Sequence, residues 1–162
     1  MLPHRSLEEG TPVTDRLPPP VPGSLHHVEI WVPDLARTVA DWQWLLEDLG
    51  YTLHQSWENG RSWNLGSTYL VFEQSPALTG DRHDRLAPGL NHLAFHIDTA
   101  DRVDLLVAKA RENGWTLLFP DRHPHAGGSH QHAAYLESRD GFEIELVAPL
   151  AVQDDRSGAP SF

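Results

Sequence analysis

Apolar and polar residues alternate with a period of two over Leu25–Val32. On an extended strand this puts His26, Val28, Ile30 and Val32 on one face and Leu25, His27, Glu29 and Trp31 on the other. The first face is apolar enough to pack under a helix, and the second is polar and faces a wet or ligand-filled space. The period then changes. Asp34 is placed to cap a helix over 35–48, in which Leu35, Val39, Trp42, Leu45 and Leu46 recur at helical spacing, and Gly50 ends it. Strands are predicted over 51–57, 61–65 and 67–74, the first two joined by a turn at Asn59-Gly60. The unit reads β-α-β-β-β.

The pattern then starts again. Asn91-His92-Leu93-Ala94-Phe95-His96-Ile97 lies over the first strand, with His92 on His27, Leu93 on Val28, Phe95 on Ile30 and Ile97 on Val32. A second helix is predicted over 100–113 with Val103, Leu106, Val107 and Ala110 as its buried stripe, ended by Gly114. Strands follow over 115–119, 131–137 and 142–147, with a His-, Pro- and Gly-containing loop over 120–129, a turn at Arg139-Asp140-Gly141 and Pro149 as the close. The repeat predicts an α+β domain over 24–149 built of two βαβββ modules, 24–76 and 89–149, joined by a linker over 77–88. Residues 1–23 are Pro-rich and read as an extended, poorly ordered lead-in in which His4 has no role, and 150–162 read as a loose tail.

Composition narrows the functional classes. The 162 residues carry a formal net charge of −11, which argues against nucleic acid and against an anionic membrane surface as partners. There is no cysteine, hence no disulfide, thiolate ligand or cysteine nucleophile. No basic-then-apolar start resembles a signal peptide, and no apolar run is long enough for a membrane helix, so a soluble, cytoplasmic protein is expected. The outlier is histidine, with eleven residues.

Two of those histidines, His27 and His92, open the two modules on the polar face. The last strand of each module carries an acid, and laying Val71-Phe72-Glu73 over Glu143-Ile144-Glu145 matches Glu73 with Glu145. Two such sheets facing each other would converge two imidazoles and two carboxylates, a donor set suited to Zn, Ni, Fe, Mn or Co.

The segments His27-Val28-Glu29-Ile30-Trp31-Val32-Pro33-Asp34-Leu35, Asn91–Ile97 and Asp140-Gly141-Phe142-Glu143-Ile144-Glu145-Leu146 together resemble the vicinal oxygen chelate superfamily, also called the glyoxalase/bleomycin resistance/dioxygenase superfamily. The resemblance implies a half-open mixed-sheet cup with the helices outside, closed around a divalent metal that chelates neighbouring oxygens of a small-molecule substrate. It implies His27, His92 and Glu145 as ligands, Glu73 as a fourth, and Glu73 or Glu145 as the catalytic base. Glu29, Trp31 and His96 share the histidine face and are expected to line the pocket. Arg122 and His123 in the loop and His132 or Tyr135 on the following strand are further pocket candidates. Glyoxalase I-like proton transfer (lyase or isomerase) is the expected activity. The alternatives are a non-haem Fe(II) dioxygenase using two His and one Glu, and a non-enzymatic drug-binding protein. Dimers are common in the family, and in some members one cup draws its modules from two chains.

Overall fold

The computed structural model describes residues 19–150. Most of the Pro-rich lead-in and all but the first residue of the tail lie outside the described residues. Ten elements follow one another: β1 (His27–Trp31), α1 (Leu35–Asp48), β2 (Thr52–Trp57), β3 (Gly60–Leu65), β4 (Thr68–Glu73), β5 (His92–His96), α2 (Ala100–Glu112), β6 (Thr116–Leu118), β7 (Gln131–Glu137) and β8 (Glu143–Pro149). They form two four-stranded mixed sheets with the orders β1-β4-β3-β2 and β5-β8-β7-β6, so the duplicated α+β pattern is realised in both modules. In each sheet the first strand pairs in parallel with the last, and the rest pair antiparallel.

Local chemistry sets the helix ends. Asp34 accepts the Arg37 amide at 2.9 Å to cap α1, and Thr99 accepts the Arg102 amide at 3.2 Å to cap α2. Gly50 and Gly114 take φ of 88° and 82° just past the helices, a region that glycine enters without steric cost. The first hairpin differs slightly from the sequence reading, because Gly60 belongs to β3 rather than to the turn. The indole of Trp57 folds across it, and a Cβ there would lie 2.0 Å from the ring, so only glycine fits.

The strand alternation predicted for β1 holds. Ile30 and Val32 are buried in the core while His27, Glu29 and Trp31 are exposed. Trp63 joins the core, whereas Trp57 lies on the face away from α1. One continuous apolar cluster runs through both modules, from Val32, Trp42, Leu45 and Phe72 to Leu106, Trp115, Ile144 and Leu146.

The modules are joined through α1. Its Trp42 packs on Phe72 of its own sheet and edge-on against Trp115 of the second module, with centroids 4.9 and 5.0 Å away. Trp115 donates its indole N–H to the Asp41 carbonyl at 2.9 Å. Around this apolar centre lie three polar ties: buried Asp41 with Arg139, buried Asp140 with Arg37, and Asp48 with Lys109. No helix among the described residues is long and apolar enough to cross a membrane.

Truncating Trp115 removes a fully packed indole shared by the two modules. Trp115→Ala is expected to lower stability by about 3–5 kcal/mol, read as a lower urea midpoint. An unchanged midpoint would show that this ring does not couple them.

Candidate functional site

The second module assembles a polar cluster on the sheet face away from α2. The parallel register of β5 on β8 sets Ala94 beside Glu145, and the Glu145 carboxylate reaches back along the strand to His92. His92 Nε2 lies 3.5 Å from Glu145 Oε2. Two ligands on one tetrahedral metal at about 2.0–2.1 Å lie roughly 3.3 Å apart, so this spacing suits a shared divalent ion. The outer atoms are held as well. The Asn91 amide oxygen lies 2.7 Å from His92 Nδ1 and accepts its N–H, so in the neutral ring the Nε2 lone pair faces Glu145. Glu145 Oε1 accepts from the Tyr135 hydroxyl at 2.6 Å and from the Gln131 amide at 3.3 Å.

Burial and the hydrogen bond to Glu145 push the Tyr135 phenol up to about 12, so it is a neutral donor across the physiological range. The loop between β6 and β7 covers this cluster. A Cβ on Gly127 would come within 2.9 Å of both Glu145 Oε1 and the Tyr135 oxygen, so the backbone of the loop rests directly on the carboxylate. At the loop's start Phe119 takes φ of 51°, a strained value for a bulky side chain, and meets Tyr135 edge-on at 5.7 Å. Arg122 stacks on Phe119 at 4.5 Å and brings the nearest loop cation toward Tyr135.

The first module is different. His27 is exposed and stacks on Tyr69 at 4.8 Å, with His26 Nδ1 at 2.9 Å from its own Nδ1. The register of β1 on β4 pairs Glu29 with Val71 and Trp31 with Glu73. Since Glu29 corresponds to Ala94, the residue corresponding to Glu145 is Val71, and Glu73 corresponds to Val147. The equivalence of Glu73 with Glu145 drawn from the sequence is therefore corrected by two positions. Nor does His27 join the other pair. Among the described residues, the cluster of three or more metal-ligating side chains that converges within one chain is a different one, Asp104, His123 and His132.

Of the pocket candidates, Tyr135 and Arg122 border the His92–Glu145 cluster. His96 shares its face with His92 and is exposed. Glu29 and Trp31 lie on the His27 face, where Glu29 accepts from the Trp31 indole at 2.8 Å. His132 and His123 point away from the His92–Glu145 cluster. Strand alternation places His132 on the side of Ala134 and Leu136, toward α2, where its Nε2 meets Asp104 Oδ1 at 2.8 Å, and His123 Nε2 approaches the same oxygen at 3.6 Å. Glu143, two residues before Glu145, is neutralised by Arg85 of the linker at 2.7 Å. Asn91 and Gly127 are the supporting residues that pattern alone did not single out, whereas Gln131 shares the alternation face of Tyr135. Asn91 carried one local signal, its place directly before a strand histidine.

This geometry has known relatives. The family model described as the Glyoxalase/Bleomycin resistance protein/Dioxygenase superfamily matches residues 26–135. A protein of Bacillus subtilis named Uncharacterized protein YqjT is 42% identical over 127 residues, covering 77% of this chain and 98% of the relative. A crystal structure from Bacillus halodurans, of a protein provisionally named a glyoxalase, is similar at 45% identity with a TM-score of 0.75, covering 79% of this chain and 97% of that one. A fosfomycin resistance protein from Listeria monocytogenes shares the fold at 20% identity and a TM-score of 0.58, over 81% of this chain and 97% of that one.

The Tyr135–Glu145 bond makes a pH-dependent contribution whose sign follows from the raised phenol pKa. The contribution is complete below the ordinary tyrosine value near 10 and is lost as the pH climbs through about 12. Tyr135→Phe is expected to cost about 1 kcal/mol of stability, unchanged between about pH 6 and 9 and shrinking above pH 10. Urea midpoints of the two proteins across that range check it; a gap that widens on the alkaline side would refute the assignment.

Proposed function

Because the chain belongs to the glyoxalase/bleomycin resistance/dioxygenase superfamily, we propose that it is a divalent-metal-dependent enzyme acting on a small molecule with two neighbouring oxygens. The ligands in this reading are His92 and Glu145 of one chain and His27 of a second copy. The observation that carries it is the His92–Glu145 pair at 3.5 Å, each partner oriented from behind by its own hydrogen bonds. A drug-sequestering protein has no need of that arrangement. The cross-chain part is supported by the exposure of His27 and its separation from the pair within one chain.

A divalent ion at this place would supply Lewis acidity to the substrate oxygens. The chain's own residues do the rest. Asn91 fixes the imidazole of His92, and Gln131 and Tyr135 hold one oxygen of Glu145 so that the other stays turned to the site. Tyr135, neutral at physiological pH, is the hydroxyl closest to the ligand carboxylate, and Arg122 brings positive charge to the rim for an anionic or polar substrate. Gly127 and its neighbours exclude water from one side.

With Val71 at the fourth position, the ligand set is two imidazoles and one carboxylate, and Glu73 is left outside it. Proton transfer of the lyase or isomerase kind then needs a base other than a fourth ligand, and Glu29 on the His27 face is the carboxylate in the better place. The same three-residue set suits a non-haem Fe(II) dioxygenase, and the displacement of Glu73 is the observation that favours this second reading.

Elemental analysis of untagged protein tests the ligand set. Glu145→Gln is expected to lose one ion per chain relative to wild type, and Glu73→Ala to lose none. If iron is the ion lost, the dioxygenase reading gains; if Glu145→Gln loses nothing, the metal-enzyme reading fails. Mixing His27→Ala with Glu145→Gln chains tests the cross-chain site. Random dimers should regain about a quarter of the wild-type sites, since a mixed dimer rebuilds one complete set of ligands. No regain would place His27 in its own chain's site.

A further inference from the structure

On the other face of the second sheet, three elements bring a separate donor set together. Asp104 comes from α2, His123 from the loop after β6, and His132 from β7. One ligand atom from each lies within 4.8 Å of the other two. The His132 Nε2–Asp104 Oδ1 and His123 Nε2–Asp104 Oδ1 separations are 2.8 and 3.6 Å. These bracket the roughly 3.3 Å edge of a tetrahedron with metal–ligand bonds of about 2.0–2.1 Å.

A second observation concerns the proton on His123. Its Nδ1 lies 3.2 Å from the Ala133 carbonyl, an acceptor, so Nδ1 carries the hydrogen. In the neutral ring Nε2 is then a bare lone pair, and it faces a carboxylate oxygen. Two acceptors turned toward each other require a proton or a cation between them. The two histidine side chains are mostly shielded, at 21% and 14% exposure, while Asp104 is open at 56%, so an ion could enter from the α2 side.

We propose that Asp104, His123 and His132 form a second, structural metal site for a zinc-type divalent ion, which pins the β6–β7 loop to α2. Two imidazoles and one carboxylate select zinc, nickel or cobalt over calcium and magnesium, which take oxygen sets. His125 lies next to this set, with its ring centroid 6.5 Å from that of His132. The pinned loop is the one whose Gly127 lies on Glu145, so the ion would hold the cover of the first site in place without touching it.

The test uses zinc itself and a chain in which the first site is dismantled by His92→Ala and Glu145→Gln. Titration against a chromophoric chelator should still find one zinc per chain. Adding Asp104→Asn, an exposed and fold-sparing change, or His132→Ala should weaken it by at least about tenfold. Hydrogen exchange of the amides in residues 120–130 should slow on zinc addition in the dismantled chain and not in the Asp104→Asn version. Absence of zinc binding in the dismantled chain would overturn the proposal and leave a protonated His123 as the explanation of the geometry. Zinc binding indifferent to both added substitutions, or loop exchange unmoved by zinc, would overturn it too.

Discussion

The parallel register between the first and last strands of each module decides which polar side chains of its open face can meet. In the second module it sets Glu145 beside Ala94, one strand position from which the carboxylate reaches the imidazole of His92. In the first module the same place holds Val71. Glu145 already reaches back two residues to His92, and a further slide of two keeps a side chain on the same face but moves it another ~6.6 Å away, beyond the reach of a shared ligand. Glu73 is displaced by just that step. The duplication is therefore complete in architecture and incomplete in side chains, with an imidazole and a carboxylate in matching register on one sheet and an imidazole with no carboxylate at the matching position on the other.

The same step explains what was legible in the sequence. Every element follows from periodicity, caps and glycines, and the polar face of β1 follows from alternation alone, because Ile30 and Val32 can pack only one way. A shift of two leaves that alternation unchanged, so pattern could not separate Val71 from Glu73 as the partner of Glu145. For β7 the ambiguity was of the other kind. Gln131, Ala133 and Tyr135 stand on one face and His132 on the other, and both faces carry polar residues, so no hydrophobic pattern chose between them. The structure sets Tyr135 against Glu145 and sends His132 toward Asp104. Buried Asp41 and Asp140 were invisible for a related reason, since their partners Arg139 and Arg37 lie about a hundred positions away in the chain.

The β6–β7 loop links both sides of the second sheet. Phe119 and Arg122 lie toward Tyr135, Gly127 lies on Glu145, and His123 turns to the opposite face to meet Asp104. Contacts on both faces lie within nine residues of this loop, from Phe119 to Gly127, so a shift at one bears on the next. What fixes His123 thus bears on the water-excluding cover of the carboxylate, although the two groups share no contact.

The burial of α1 bears on why one chain leaves its polar sheet faces open. Leu35, Thr38, Asp41, Trp42, Leu45 and Leu46 are all buried, a wider arc than the Val103, Leu106, Val107 and Ala110 stripe of α2. One part of that arc covers the first sheet, and the other meets Trp115 and Arg139 of the second module. The apolar surface that could draw the modules together is consumed on the helix side. On the opposite side of the first sheet Trp31 and Trp57 remain 44% and 37% exposed, in the strand row of Glu73, on the same face as His27 but four residues along from it. That face carries an imidazole with no carboxylate at the position matching Glu145, and it is the face that the proposed pairing with a second copy's His92–Glu145 would cover.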